Sequence, residues 1–140
     1  MKIYFAGAIR GGRQDVSTYH AMIAHLQTHA EVLTEHVGKM ALSDGGEHDL
    51  TDKEIHARDV AWLDECDAVV AEVTTPSLGV GYELGVAEKL GKPILCLFND
   101  GNPDFRLSAM LSGNPKVTVA RYQELDGAIE EIDLFVLQNK

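Results

Sequence analysis

Val69-Val-Ala-Glu-Val-Thr-Thr-Pro-Ser-Leu-Gly-Val-Gly-Tyr-Glu-Leu-Gly85 passes from an apolar strand through a small-residue turn into a helix. A strand apolar at successive positions is buried on both faces, as in a parallel sheet covered by helices on each side. The turn supplies a further property. Backbone N–H groups at Ser77, Leu78 and Gly79 have no partner inside the helix and stand at the positive end of its dipole, where a phosphate can lie. Glu83 follows one turn later. Val80, Val86 and Leu90 share its helix face, so it is a carboxylate on an apolar stripe. Two readings stand. Glu83 is either a helix-start acid favoured by the dipole with its head in water, or a nucleophile or base facing a pocket, kept ionised by the helix terminus and walled by hydrocarbon.

The pattern repeats on either side. Strands are predicted near Lys2–Ala6, Glu31–Thr34, Ala68–Val73, Pro93–Phe98 and Val117–Ala120, with helices between them, giving an α/β, three-layer, doubly wound five-stranded parallel sheet. The first helix, about Val16 to His29, places Val16, Tyr19, Met22, Ile23 and Leu26 on one stripe. A second begins at Thr51, where Thr51-Asp-Lys-Glu54 has the form of a capping box. The third starts near Gly79 and stops at Gly91-Lys-Pro93, and the last covers about Gln123 to Leu137. The polar, Gly-rich stretch Ala41–Leu50 has no period and reads as a mobile flap. In such a sheet, ligands bind beyond the carboxyl ends of the strands. Gly7–Arg13, His36, Ser77–Glu83 and the Asn99–Ser108 loop should therefore surround one crevice.

The 140 residues suit one domain spanning 1–140, and a hydrophobic content of 45% places the chain among globular rather than disordered sequences. No run approaches the ~20 apolar residues that cross a bilayer, and the start reads as a strand rather than a signal peptide. A soluble cytoplasmic protein is expected. Cys66 and Cys96 have neither metal-type spacing nor a disulfide framework, so reduced thiols are expected. The net charge of −10 opposes long nucleic acid. Within residues 1–40, however, Lys2, Arg10, Arg13 and Lys39 outnumber Asp15, Glu31 and Glu35 by one, and the remainder carries −11. A positive pocket in an acidic body suits a small anion such as a mononucleotide.

Gly7-Ala-Ile-Arg-Gly-Gly-Arg13 can form a backbone anion nest with Arg10 and Arg13, or be a Gly-rich turn with solvated arginines. It is neither G-x-G-x-x-G nor a Walker A loop, which weakens dinucleotide and triphosphate readings. Asp59 repeats the anomaly of Glu83, four residues after Ile55 and three before Trp62 on a core-facing stripe. It is either paired with an arginine or capping a neighbour, or a second active-site carboxylate; two such acids are the equipment of glycosidic-bond hydrolysis. Tyr4 is either a packing aromatic or a functional hydroxyl. His36 and His56 lack metal-site spacing and suit polar or substrate contacts. Ser77 has no G-x-S-x-G elbow around it.

Taken together, Tyr4–Arg13, Leu33-Thr-Glu-His36, Ile55-His-x-x-Asp59-x-x-Trp62, Ala71–Gly85, Gly91–Phe98 and Leu107-Ser-Ala-Met110 closely resemble the 2′-deoxynucleoside 5′-phosphate N-hydrolases of the nucleoside 2-deoxyribosyltransferase superfamily. The resemblance covers nearly the whole chain. It implies a flavodoxin-like fold and a homodimer that needs no metal or cofactor. It assigns Glu83 as nucleophile at C1′, Asp59 as its carboxylate partner and Tyr4 as a hydroxyl beside the reacting centre. Ser77, Gly79 and Arg10 would hold the 5′-phosphate, and Ser108 would reach it from the other subunit. Gly7, Ile9, Gly11, Gly12, Arg13, Tyr19, His36, Ala109 and Met110 complete the implied substrate contacts. Mammalian members tend to have Ser where this chain has Ala8, which removes one hydroxyl from the first loop.

The expected reaction is hydrolysis of a deoxynucleoside monophosphate to free base and 2-deoxyribose 5-phosphate through a glycosyl-enzyme on Glu83. A deoxyribosyltransferase, a ribonucleotide N-glycosidase and a nucleotide sensor without turnover are the alternatives. The expected partners are the nucleotide and a second copy of the chain, with no nucleic acid polymer and no membrane.

Overall fold

The structure is a computed structural model that describes residues 1–9, 16–38 and 49–140. Five parallel strands, β1 (Lys2–Ala6), β2 (Glu31–Val32), β3 (Ala68–Glu72), β4 (Ile94–Asn99) and β5 (Thr118–Tyr122), stand in the order β2-β1-β3-β4-β5. The helices are α1 (Val16–Leu26), α2 (Asp52–Glu65), α3 (Leu78–Lys89), the short α4 (Ala109–Ser112) and α5 (Leu125–Asn139), with a 3-10 turn at Glu35–Gly38. This strand order is the flavodoxin-like one.

Alternation along each strand divides the core. Ile3, Phe5, Val70, Leu95 and Leu97 face α1 and α5, meeting Tyr19, Met22, Ile23 and Leu26 on one helix and Ala128, Ile132, Phe135 and Val136 on the other. Tyr4, Ala6, Val69, Ala71, Cys96 and Phe98 face the opposite way, against Leu63 of α2 and Val80, Leu84 and Ala87 of α3. Two layers of helix therefore cover both sheet faces, which is why the strands read as continuous apolar runs.

Local signals end the elements close to where the sequence places them. The Thr51 capping box is formed in both directions, with Glu54 N–H donating to Thr51 Oγ1 at 3.2 Å and Thr51 N–H donating to Glu54 Oε1 at 3.1 Å. Gly91 terminates α3 in the left-handed region at φ 72°. β4 begins at Ile94 rather than Pro93, which has no N–H for the ladder. β2 is shorter than predicted and stops at Val32. Thr34 explains this, since its hydroxyl accepts from Phe5 N–H at 2.8 Å and donates to Phe5 O at 2.6 Å, taking the place of a strand partner. α1 likewise ends at Leu26, whose carbonyl receives the N–H groups of His29 and Ala30 at 2.9 Å in a closing turn. Cys66 and Cys96 are buried and free. Of the flap predicted at Ala41–Leu50, only Asp49 and Leu50 fall among the described residues. No helix among the described residues is long and apolar enough to cross a membrane.

Candidate functional site

β1 and β3 are neighbours, yet the chain leaves β1 toward β2 on one side and β3 toward β4 on the other. Their carboxyl ends form the switch point where an open α/β sheet leaves a crevice. A cavity of about 690 Å³ lies there, within the range of small-molecule sites. Gly7 and Ile9 from the loop after β1 form one side. Asp52, Ile55, His56, Asp59, Val60 and Leu63 of α2 form a second, and the turn Pro76–Gly79 with Val80, Tyr82 and Glu83 of α3 the third.

Each carboxylate is positioned by its helix. Ser77 caps α3 by accepting from Val80 N–H at 3.3 Å, which leaves the first turn of the helix pointing into the cavity. Glu83 is the sixth residue of α3, beyond that first turn, with Val80 and Leu84 buried beside it. On α2, Asp59 receives Arg58 Nε–H at 3.0 Å and lies 2.9 Å from the second guanidinium nitrogen. Arg58 is itself held, over the Trp62 ring at 4.7 Å and 3.4 Å from His36 Nε2. The stack Trp62–Arg58–Asp59 thus fixes one carboxylate as half of an ion pair.

The other carboxylate has a different environment. Burial pushes the Glu83 carboxyl up to about 8, with the nearby Asp59 charge adding to the rise and a hydrogen bond with Tyr4 opposing it. Burial therefore opposes the charge at Glu83, whereas the pocket reading has the helix terminus favour it. The dipole acts mainly within the first turn, and Glu83 lies beyond it among hydrocarbon, where desolvation dominates. Tyr4 is almost fully buried, and burial together with the Glu83 and Asp59 charges drives its phenol far above the ordinary value, so it remains a donor. Two acids with opposed environments and a fixed hydroxyl can deliver one proton and present one carboxylate at a single point.

Four of the other anticipated residues surround this centre. Gly7, Ile9, Ser77 and Gly79 line the cavity. A Cβ at Gly7 would meet the Tyr19 ring at 3.0 Å, so glycine is what permits the close approach of β1 to α1. Tyr19 is fully buried beneath the loop, where its hydroxyl accepts from Ala8 N–H at 3.2 Å; it supports the loop rather than lining the cavity. His36 lies against Arg58 and is absent from the cavity lining, its ring 5.9 Å from that of Trp62. Ser108 caps α4 by accepting from Met110 N–H at 3.2 Å, and Ser108, Ala109 and Met110 are all exposed and absent from the cavity lining of their own chain. Arg10, Gly11, Gly12 and Arg13 lie outside the described residues.

An arginine partner for Asp59 was one of the expected readings and is present, but its identity as Arg58 and two further features were not anticipated. Arg58 follows from no helical spacing rule, because neighbours in sequence do not face each other on a helix; only its long side chain folds it onto Asp59. His56 Nε2 and Tyr82 OH lie 3.2 Å apart and join α2 to α3 at the cavity wall. Glu72, at the end of β3, is buried and accepts from Thr74 N–H at 2.6 Å, Thr74 Oγ1–H at 3.0 Å and Tyr122 OH at 2.5 Å. A carboxylate inside the apolar run Val69–Val73 was the available signal for it.

The profile of the nucleoside 2-deoxyribosyltransferase family matches residues 3–123. The 5-hydroxymethyl-dUMP N-hydrolase of Tetraodon nigroviridis is 59% identical over 114 residues, covering 81% of this chain and 80% of that protein. The mouse (Mus musculus) protein of the same name is 50% identical over 132 residues, covering 94% and 75%. Among solved structures, a CMP N-glycosidase of Clostridium botulinum superposes with a TM-score of 0.68 at 18% identity, over 95% of this chain and 99% of that one. At that identity the likeness concerns the fold.

Proposed function

Because the chain belongs to the nucleoside 2-deoxyribosyltransferase family, we propose that its cavity hydrolyses the N-glycosidic bond of 2′-deoxynucleoside 5′-monophosphates, releasing the base and 2-deoxyribose 5-phosphate. The observation that carries this reading is the placing of Glu83 and an Arg58-bound Asp59 together on the wall of a cavity whose edge is the Ser77-capped start of α3.

The phosphate rests on the free N–H groups of the α3 start, and the sugar is held with C1′ toward Glu83. In the free protein one proton resides on Glu83 beside the Asp59 charge. As the C1′–N bond breaks, that proton passes by way of Asp59 to the departing base, and the Glu83 carboxylate so freed bonds to C1′ of the oxocarbenium-like sugar. Tyr4 donates its hydrogen bond to Glu83 as charge develops there. Water, deprotonated by Asp59, then opens the glycosyl-enzyme and restores the proton to the pair. Phosphate binding far from C1′ supplies positioning for this step.

The finer elements of the reading are a homodimer in which Ser108 completes the partner's phosphate site, and a base of the 5-substituted uracil type, the substrate for which the vertebrate relatives are named. Exposure of Ser108, Ala109 and Met110 at the start of one short helix supports the first.

The test is incubation with 5-hydroxymethyl-dUMP, dUMP, UMP and the unphosphorylated deoxynucleosides, with and without a second free base. Free base and 2-deoxyribose 5-phosphate from the deoxynucleotides are expected, with no new nucleotide when a base is added. Transfer to the added base would make the protein a deoxyribosyltransferase, and nucleotide binding without turnover would make it a sensor.

A further inference from the structure

Far from the cavity, α1 and α5 pack side by side on one sheet face, and their outer edges bring together three side chains that bind metals. His25 lies in the last turn of α1 and His29 four residues later, a spacing that puts both rings on one side of the helix end. Asp133 comes from α5, 108 residues beyond His25. Its Oδ1 lies 2.6 Å from His25 Nε2 and 3.2 Å from His29 Nε2. The imidazole rings meet edge to face with centroids 5.2 Å apart, and one donor atom from each of the three side chains falls within 4.8 Å of the others.

We propose that His25, His29 and Asp133 form a divalent-metal site of the two-histidine, one-carboxylate type, taking zinc or a similar borderline ion with water in the remaining position. Metal–ligand bonds of ~2.0–2.2 Å at tetrahedral angles put neighbouring donor atoms ~3.3 Å apart. The present 2.6 and 3.2 Å separations reach that arrangement by small side-chain movements. Entry is open, since the side chains of His25, His29 and Asp133 are 26%, 34% and 49% accessible. Imidazole donors favour zinc, copper or nickel over magnesium and calcium.

α1 leads directly into β2, so this cluster sits at the amino edge of the parallel sheet, opposite the cavity at the carboxyl edge. The ion would fasten the end of α1 to α5 and act on stability rather than on turnover.

Equilibrium dialysis and thermal unfolding with zinc chloride test this directly. One zinc per chain is expected, with the melting temperature rising by ~5–10 °C at a hundredfold excess over the dissociation constant and falling back on adding EDTA. Magnesium should produce no shift. His29→Ala and Asp133→Asn, both at accessible side chains, should each weaken zinc binding by ~10-fold or more while leaving glycosidase turnover unchanged. Absence of a zinc-dependent shift, or a shift that survives both substitutions, overturns the site.

Discussion

Replacing Glu83 by Gln should stabilise the protein while removing its activity, and the gain should grow with pH. A carboxyl whose folded value is raised above its unfolded value contributes stability that is complete below the unfolded value and is lost as pH rises through the folded one. For Glu83 that window runs from 4.5 to about 8, burial being the main cause. At ~1.4 kcal/mol per pH unit, the full interval corresponds to ~5 kcal/mol lost by the native state once Glu83 ionises. Water in the open cavity screens the charge, so about half of that, ~2–3 kcal/mol, is the expected advantage of the amide at pH ~9. At pH ~5 the advantage should be under ~1 kcal/mol, because only ~0.5 pH unit of the window above the unfolded value of 4.5 has then been crossed. Gln keeps the volume and can still accept from Tyr4. Urea unfolding of both proteins across this pH range measures the difference, which at pH ~9 should appear as a melting shift of ~5–10 °C. Turnover of a deoxynucleoside monophosphate should fall by ~10²-fold or more. A stability difference independent of pH would refute the burial argument, and near-normal kcat would refute the nucleophile role.

The same proton governs the rate: kcat/KM should decline as pH rises through about 8, where the carboxylate pair loses its last proton, and a profile rising there would show that Glu83 attacks only after titrating to solvent. Arg58→Met leaves Asp59 without its cation, so turnover should fall by ~10-fold or more and the alkaline limb should move to higher pH; an unchanged profile would reduce Arg58 to a surface contact. Deoxynucleosides lacking the phosphate should be poor substrates, and Ser77→Ala should raise KM for the monophosphate more than for the nucleoside, with equal effects on both counting against a phosphate site at the α3 start. Met110 is 79% accessible, so Met110→Asp should leave the fold intact while burying a charge at the proposed dimer contact. Sedimentation should then show an inactive, folded monomer, and a fully active one would rule out the shared site.

The layered fold was legible in the sequence because its signals are local. Continuous apolar runs at Ala68–Val73 and Pro93–Phe98, the Thr51–Glu54 capping box and the Gly91 stop are each settled within a few residues of chain, and each reappears in the structure within a residue or two. Glu83 and Asp59 were visible for a related reason: a carboxylate on an apolar helical stripe is an anomaly that periodicity alone exposes. The upward shift of the Glu83 carboxyl was not visible. Whether a helix terminus or a hydrocarbon wall decides a carboxyl's charge depends on how far neighbouring elements exclude water, and for Glu83 the packing of α2 and β1 against α3 outweighs the dipole. Arg58, Glu72 and Asp133 remained hidden for the same underlying reason. Their partners come from an unexpected neighbour on the helix, from a strand 50 residues away at Tyr122, and from a helix 108 residues away at His25. Only closure of the sheet brings such groups within hydrogen-bond distance, and no period along the chain encodes it.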